Sequence, residues 1–161
     1  MISLVFHRPV RAFAIVSLVC MVCSCKAYTK DNESAFPEYM STDTLTHKMK
    51  VTIGSQTFTA LLSDNPASAA LIAALPLTLV MTELNGNEKY AKLPNALPAA
   101  PANPSTIQAG DLMLWGNNTL VLFYKSFSTS YSYTRIGRID DVRGLFPAVG
   151  SKEITVTFSV E

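Results

Sequence analysis

The segment from residue 107 to residue 141 (IQAGDLMLWGNNTLVLFYKSFSTSYSYTRIGRIDD) constrains the fold more than any other part of the chain. Two apolar stretches flank Gly116, Asn117 and Asn118, which favour a tight turn because glycine and asparagine tolerate positive φ. A polar loop with several aromatic residues follows, and then a third apolar stretch that ends at two carboxylates. Short apolar stretches separated by turn residues predict antiparallel strands. We therefore expect a β-rich fold whose recognition residues gather in this segment.

Apolar residues also alternate with polar ones over much of the remaining chain. Every second residue is apolar in 49–53, in 58–62 and in the last stretch, 154–160, as in strands with one buried face. The pairs Gly54-Ser55 and Asn85-Gly86 have the composition of hairpin turns. The other predicted strands are residues 77–82, 88–93, 112–115, 119–125 and 133–139.

Two segments have the features of short helices. Asn65 is the predicted N-cap of a helix over residues 66–75, and Asp140 and Asp141 are predicted to cap a second helix within residues 141–149. Eight strands in so short a domain favour a closed barrel, because closure leaves no exposed edge and two helices can cover the ends. The predicted fold class is therefore mainly β, a closed eight-stranded barrel with two short capping helices. A β-sandwich is the alternative.

Residues 1–25 have the organisation of a bacterial signal peptide. His7, Arg8 and Arg11 form a basic region, and an apolar core of twelve residues, AFAIVSLVCMVC, is too short to span a bilayer. The sequence Val-Cys-Ser-Cys that ends at Cys25 then resembles a lipobox, in which Cys25 would carry the lipid. An ordinary signal peptide is the alternative reading.

This segment sets the expected organisation and location of the protein. Residues 26–46 are polar and lack periodicity, so we expect a flexible tether, followed by one domain over residues 47–161. Acyl chains on Cys25 would hold the domain at a bacterial membrane, facing outside the cytoplasm. If no lipid is attached, the protein would be secreted or periplasmic.

The composition excludes several classes of function. All three cysteines lie in the signal segment, so the domain has no disulfide, thiolate metal site or cysteine nucleophile, and His47 is its one histidine. Of the 13 basic residues two lie in the signal and none of the 12 acidic residues does, which leaves a net charge of about −1 and no basic field for nucleic acid. We expect neither a metal ion, nor a cofactor, nor nucleic acid as a partner.

The candidate ligand-binding residues are mostly aromatic. Tyr131, Tyr133 and Arg135 alternate along a predicted strand, so their side chains are expected to project together. A guanidinium beside tyrosine rings can bind a peptide carbonyl or carboxylate while the rings pack on apolar groups. Trp115 and Phe123 flank the predicted turn and could meet across the hairpin. The predicted ligand-binding residues are Tyr90, Trp115, Phe123, Phe127, Tyr131, Tyr133 and Arg135.

Each pattern also has a purely structural explanation. The tyrosines could fill the barrel or its rim, with Arg135 paired to an acid. Glu83, Glu88 and Lys89 cluster around the predicted turn at residues 85–86. Two carboxylates so close could serve acid–base chemistry, but residues of a hairpin turn are usually solvated. We therefore predict a solvated hairpin there.

Four stretches together resemble a known family. They are DNPASAALIAALPLTLVM (64–81), NGNEKYAKLP (85–94), IQAGDLMLWGNNTLVLFY (107–124) and YSYTRIGRIDD (131–141). Together they resemble the bacterial cyclophilin-like fold proteins, some of which are small lipoproteins. This resemblance implies an eight-stranded barrel with two helices. True cyclophilins are peptidyl-prolyl isomerases whose motif includes an arginine and a Phe-Met-Gln run; the corresponding residues 77–93 contain neither.

Three functions follow from these observations as hypotheses. The first is a binding domain, anchored outside the cytoplasm, that presents an aromatic-plus-arginine groove to a peptide or small molecule. The second is a divergent peptidyl-prolyl isomerase in which Arg135 or Arg138 donates a hydrogen bond to the twisting prolyl nitrogen. The third is a structural accessory of a membrane-associated complex, which would need a continuous apolar surface instead of a cavity.

Overall fold

The computed structural model describes residues 45–161. The predicted signal peptide, the lipidation site at Cys25 and most of the predicted tether lie outside the described residues. The first strand begins at Leu45, two residues before the predicted start of the domain. Neither helix within residues 45–161 has the length and apolar character of a membrane span.

Ten strands and two helices make up the described residues. In chain order they are β1 (Leu45–Ile53), β2 (Gln56–Ser63), α1 (Pro66–Ala73), β3 (Leu77–Leu84), β4 (Glu88–Lys92), β5 (Thr106–Ile107), β6 (Asp111–Trp115), β7 (Thr119–Phe123), β8 (Phe127–Ser128), β9 (Thr134–Ile139), α2 (Leu145–Val149) and β10 (Ile154–Val160). Eight strands close into an antiparallel barrel in the order β1-β10-β3-β4-β7-β6-β9-β2, and β5 pairs with β8 outside it. The prediction of a mainly β chain with a closed eight-stranded barrel and two short helices is therefore confirmed.

Alternation along the strands produces the barrel interior. In the hairpin of β1 and β2, Met49 lies opposite Ala60 and Val51 opposite Phe58, and all four side chains are buried. Gly54, in the turn between the strands, has a φ of +58°, a conformation that glycine adopts without steric cost. The predicted inward face of this hairpin is confirmed.

A second, smaller apolar cluster lies on the outer face of β6 and β7. Inward residues of these strands, such as Leu112 and Leu122, belong to the barrel interior. The residues between them, Met113 and Val121, pack instead with the buried residues Ile107, Phe123 and Tyr133. Both faces of these strands are therefore covered, one by the barrel interior and the other by the loops that form the candidate site.

The first helix matches its predicted start. The Asn65 carboxamide oxygen accepts a hydrogen bond from the Ser68 amide at 2.9 Å, and Pro66 occupies the first helical position. The Ser68 hydroxyl donates to the carbonyl of Ile136 in β9 at 2.7 Å, which attaches the helix to the barrel.

The second helix is shorter than predicted, and its predicted caps are wrong. It comprises five residues, Leu145–Val149, and its N-cap is Gly144, with a φ of +82°. Asp140 does not cap it, and Asp141 accepts hydrogen bonds from the backbone and side chain of Arg143. These hydrogen bonds lower the pKa of Asp141 to about 2. The positive φ of Gly144 interrupts helical geometry, so the helix cannot extend back to the aspartates.

The strands β2 and β9 approach each other so closely at Gly137 that only glycine fits there. A Cβ atom on Gly137 in β9 would lie 2.9 Å from the Cα atom of Leu62 in β2. Gly137 pairs with Leu62 on one side and with Leu112 on the other. The barrel can therefore close at this position only around a residue without a side chain.

Candidate functional site

An open cavity of about 470 Å³ lies over the outer face of β4, β6 and β7. Five aromatic residues contribute to its wall, and we call it the aromatic cavity. They are Tyr90, Trp115, Phe127, Tyr131 and Tyr133. Leu84, Asn85, Asn87, Glu88, Thr119 and Val121 complete the lining.

The rings form a continuous series centred on Tyr133. The Tyr133 ring centroid lies 5.4 Å from Trp115 and 5.5 Å from Phe123, and the Phe123 contact is perpendicular. Trp115 in turn contacts Tyr131 edge to face at 5.4 Å, and Phe123 contacts Phe127 at 5.7 Å. Such edge-to-face and tilted contacts stabilise the rings beyond their burial alone.

The predicted contact between Trp115 and Phe123 across the hairpin is wrong. The register of β6 and β7 places Trp115 opposite Thr119, and Phe123 lies four residues further along β7. Each ring contacts Tyr133 instead. Phe123 is fully buried and supports the cavity from beneath, whereas 45% of Trp115 and 60% of Tyr131 is exposed.

Residues 124–133, between β7 and β9, form a loop that we call the aromatic loop. The proline-rich segment that precedes β5 holds this loop in place. The backbone of Tyr133 exchanges two hydrogen bonds with Ala102, of 2.9 and 3.0 Å. The Thr129 amide donates to the Ser105 carbonyl at 2.9 Å, and the Asn103 side chain donates to the Ser130 carbonyl at 3.1 Å. These contacts join residues about 25 to 30 positions apart. Tyr131 and Tyr133 are therefore positioned by two loops and not by a regular strand.

The polar side of the aromatic cavity comes from the turn between β3 and β4. Glu88 lines the cavity but is only 9% exposed, and its carboxylate makes no hydrogen bond or ion pair with any residue in 45–161. Burial, followed by the negative charge of Glu83, raises the pKa of Glu88. Burial also raises the pKa of Tyr133, and the charge of Glu88 raises it further.

Lys89, the next residue, faces the opposite side of β4. It lies opposite Leu122 and is fully buried, with its Nζ atom 2.7 Å from Glu83 Oε2 and 2.5 Å from the carbonyl of Lys152. The Tyr124 hydroxyl donates to Glu83 Oε1 at 2.6 Å. Partial burial alone would raise the pKa of Glu83, but hydrogen bonds from Lys89 and Tyr124 outweigh it and lower that pKa.

The prediction of a solvated hairpin around residues 85–86 is therefore confirmed for the turn residues Asn85 and Gly86, which are exposed, and wrong for Glu88 and Lys89, which are buried. Lys89 points towards the barrel interior, while Glu88 and Tyr90 point outward beneath the aromatic loop. The aromatic loop covers Glu88 on the outer face and the barrel covers Lys89 on the inner one, while Leu84 remains 42% exposed.

Arg135 does not line the aromatic cavity. It lines a neighbouring cavity of about 700 Å³ together with Arg138, and we call this the arginine cavity. Residues 98–104 contribute most of the opposite wall, and Tyr133 lines both cavities. The structure therefore places the predicted aromatic and arginine groups in two adjacent cavities instead of one groove.

The two arginines face one buried carboxylate. Asp111 Oδ1 lies 3.6 Å from Arg135 Nη1 and 3.9 Å from Arg138 Nε. Asp111 Oδ2 accepts a hydrogen bond from the Gln108 amide at 2.8 Å, which holds the carboxylate in place. Residues three apart lie on opposite faces of a regular strand, but the pairing of β6 and β9 shifts between Leu112 and Met113, which brings both arginines to the same side.

Most of the predicted ligand-binding residues are thus brought together. Five of the seven line the aromatic cavity, Phe123 supports it, and Arg135 lies in the neighbouring cavity. Sequence reasoning missed the six other lining residues, which include the polar residues Asn87 and Glu88. The signal available for Glu88 was its spacing of two from Tyr90, which places both on one face of a strand. No group of three or more His, Cys, Asp or Glu side chains within residues 45–161 is arranged to hold a metal ion.

Barrel order, helix positions and cavity placement define a small closed β-barrel with its candidate site on the outer face. The profile of the cyclophilin-like family matches residues 51–159, more than half of the chain, and the chain belongs to that family.

The chain is similar to the solution structure of a hypothetical protein from Archaeoglobus fulgidus, with 16% identity and a TM-score of 0.51. The match covers 76% of this chain and 100% of that one, and at this identity it shows a shared fold alone. No curated protein matches the chain significantly.

Proposed function

We propose that the chain is a ligand-binding domain, anchored outside the cytoplasm, that takes an apolar or aromatic group of a peptide or small molecule into the aromatic cavity. The observation that carries this proposal is the series of rings around a cavity of about 470 Å³. Large aromatic side chains are normally buried, yet Trp115 and Tyr131 expose about half of their surface at its mouth. Concave apolar sites with a few polar groups are typical ligand sites.

Binding can be followed with the intrinsic fluorescence of Trp115, which is the only tryptophan of the chain. The experiment titrates the full chain, in a neutral detergent, with benzyl alcohol and with benzylammonium chloride. Saturable change of the Trp115 emission with either compound supports a ligand site in the aromatic cavity. Absence of saturation with both compounds would contradict it. Tyr131→Ala, at an exposed position of the wall, is expected to weaken binding without unfolding the protein.

The proposed anchor depends on Cys25 and needs its own experiment. Lipidation at Cys25 would place the domain at a bacterial membrane, and labelling of cells with a radioactive fatty acid would detect it. Cys25→Ser is expected to abolish labelling and to release the protein from the membrane fraction. Unchanged membrane association of Cys25→Ser would contradict the anchor.

A second candidate function is peptidyl-prolyl isomerisation in the arginine cavity. The observation that favours it is the presence of two guanidinium groups, from Arg135 and Arg138, in a cavity of about 700 Å³. A guanidinium could donate a hydrogen bond to the prolyl nitrogen and so weaken the amide resonance that opposes rotation. A protease-coupled isomerisation assay tests it: activity that is lost in Arg135→Ala or in Arg138→Ala supports this mechanism, and activity that survives in both variants excludes it.

A further inference from the structure

Glu88 is a buried carboxylate without a partner in the described part of the chain. It is nine-tenths buried, lines the aromatic cavity, and makes no hydrogen bond or ion pair within residues 45–161. Glu83, on the other strand of the same hairpin, accepts hydrogen bonds from Tyr124 and Gly86 and pairs with Lys89. The Glu88 carboxylate keeps some contact with solvent through the open cavity, but a carboxylate that has lost most of its hydration is usually paired with a hydrogen-bond donor or a cation. Glu88 therefore has acceptor capacity that the described residues do not use.

The residues nearest to Glu88 cannot supply a positive charge to it. Lys89, its neighbour in sequence, points to the other side of β4 and is committed to Glu83. The cavity wall, as far as the structure describes it, contains no lysine, arginine or histidine. The carboxamide oxygen of Asn87 is also buried and accepts no hydrogen bond from a described residue. The polar end of the cavity thus presents acceptors and no cationic donor.

The aromatic wall of the cavity also favours a cationic group. The faces of tryptophan and tyrosine rings carry partial negative charge and attract cations within about 6 Å of the ring centre. The Trp115 ring contacts both Tyr131 and Tyr133. Tyr90 lies two residues after Glu88 on β4 and lines the same cavity. Ring faces together with one carboxylate are the groups that recognise alkylammonium ions.

The arginine cavity provides the contrast. It shares Tyr133 with the aromatic cavity, but its charged lining residues are Arg135 and Arg138, and no described lining residue is acidic. The charged residues that line the two adjacent cavities therefore differ in sign. An anionic group would be repelled by the Glu88 carboxylate in the aromatic cavity.

We infer that the aromatic cavity binds an organic ammonium group, with Glu88 as its counter-ion and the rings of Tyr90, Trp115, Tyr131 and Tyr133 around its alkyl or aromatic carbon atoms. This inference rests on the proposed function, because it specifies the ligand of the same cavity. The ammonium N–H groups would donate to the Glu88 carboxylate, which has no other donor among the described residues.

The experiment compares two probes of similar size and shape that differ in charge. Benzylammonium and benzyl alcohol are titrated at pH 7 and constant ionic strength into the full chain, with Trp115 fluorescence as the readout. We expect benzylammonium to bind at least about tenfold more tightly than benzyl alcohol. Glu88→Gln keeps the size of the side chain, and we expect it to reduce the two affinities to similar values. Glu153→Gln, which removes an exposed carboxylate outside the cavity, is the matched control and should leave the preference unchanged.

The possible outcomes separate this inference from the proposed function. Equal affinities for the two probes would overturn the ammonium site and leave a neutral ligand site in place. A preference for benzylammonium that survives Glu88→Gln would overturn the role of Glu88. If neither probe binds, the proposed function itself fails. Thermal unfolding of Glu88→Gln, followed in parallel, distinguishes a lost counter-ion from a lost fold.

Discussion

Lys89 and Glu83 form an ion pair with 2.7 Å between Nζ and Oε2, and the lysine side chain is fully buried at one end of the barrel. The pair lies directly across the strands β3 and β4. Tyr124 and the Gly86 amide complete the hydrogen bonds to the carboxylate. At this end of the barrel an ion pair therefore fills the interior, whereas apolar side chains fill the rest of it.

Removal of the carboxylate is expected to destabilise the protein strongly. Glu83→Ala leaves the Lys89 ammonium buried without its counter-ion, which costs about 3 kcal/mol or more of the free energy of unfolding. The double variant Glu83→Ala, Lys89→Met removes both charges and should be more stable than Glu83→Ala alone. Urea unfolding of the three proteins measures this, and equal stability of wild type and Glu83→Ala would show that the pair contributes nothing.

A methyl group at Gly137 should interfere with closure of the barrel. The added Cβ atom would lie against the backbone of Leu61 and Leu62, which cannot move without disturbing β2. We expect Gly137→Ala to lower the free energy of unfolding by about 1–3 kcal/mol. Gly54→Asn is the control, because nothing lies within 4 Å of that position and asparagine tolerates its positive φ. Similar stabilities of these two variants in urea unfolding would be inconsistent with close packing at Gly137.

Glu88 should give the protein a distinctive dependence on pH. Burial and the charge of Glu83 raise its pKa above the ordinary value of 4.5, so the folded state favours the protonated form. The stability contributed by protonated Glu88 is present below pH 4.5 and is lost as pH rises through the raised pKa. We therefore expect Glu88→Gln to be more stable than wild type at pH 7, and the difference to shrink as pH falls towards 4.5.

Chemical denaturation of both proteins at a series of pH values measures this difference. The comparison with Glu88→Gln cancels the titration of the other carboxylates, apart from groups that respond to the charge of Glu88. These groups are Glu83, whose pKa is held below 4.5, and Tyr124 and Tyr133, whose pKa values burial and nearby negative charge raise further above the range of the experiment. A difference in stability that does not vary with pH would refute the raised pKa.

Tyr133 should be the residue on which the aromatic series depends. Its ring contacts both Trp115 and Phe123, and its backbone pairs with Ala102. Tyr133→Ala removes both ring contacts and should cost about 3 kcal/mol of stability, as for other buried aromatic side chains. The emission of Trp115 should shift to longer wavelength, because the indole loses a neighbour that shields it from water. Tyr133→Leu, which retains apolar volume, should give a smaller shift; equal emission of all three proteins would contradict the series.

Much of the fold could be predicted because strand alternation has a direct structural meaning. Met49, Val51 and Ile53 alternate with polar residues, and burial of one face follows from the period of two. The first helix could be placed because Asn65 and Pro66 are local signals. The second helix was predicted too long because Val142 continues the apolar spacing of the helix residues, although the helix begins only at Leu145, after Gly144.

The charges of the candidate site could not be predicted, because they depend on contacts between distant segments. Glu88 and Lys89 occur in a polar stretch that is typical of an exposed turn, and their burial comes from the aromatic loop and the barrel end. Arg135 and Arg138 both face Asp111 because the register of β9 against β6 shifts once between them. A pattern within one strand contains no information on either contact.

The separation of the two apolar clusters has a consequence for how this protein could change. Leu112 and Leu122 face the barrel interior, while their chain neighbours Met113 and Val121 form the floor under the aromatic loop. Substitutions on the outer faces can therefore reshape what the protein recognises while the inner packing, and with it the barrel, is retained. The same barrel could therefore bind different ligands after substitution of a few residues on its outer face.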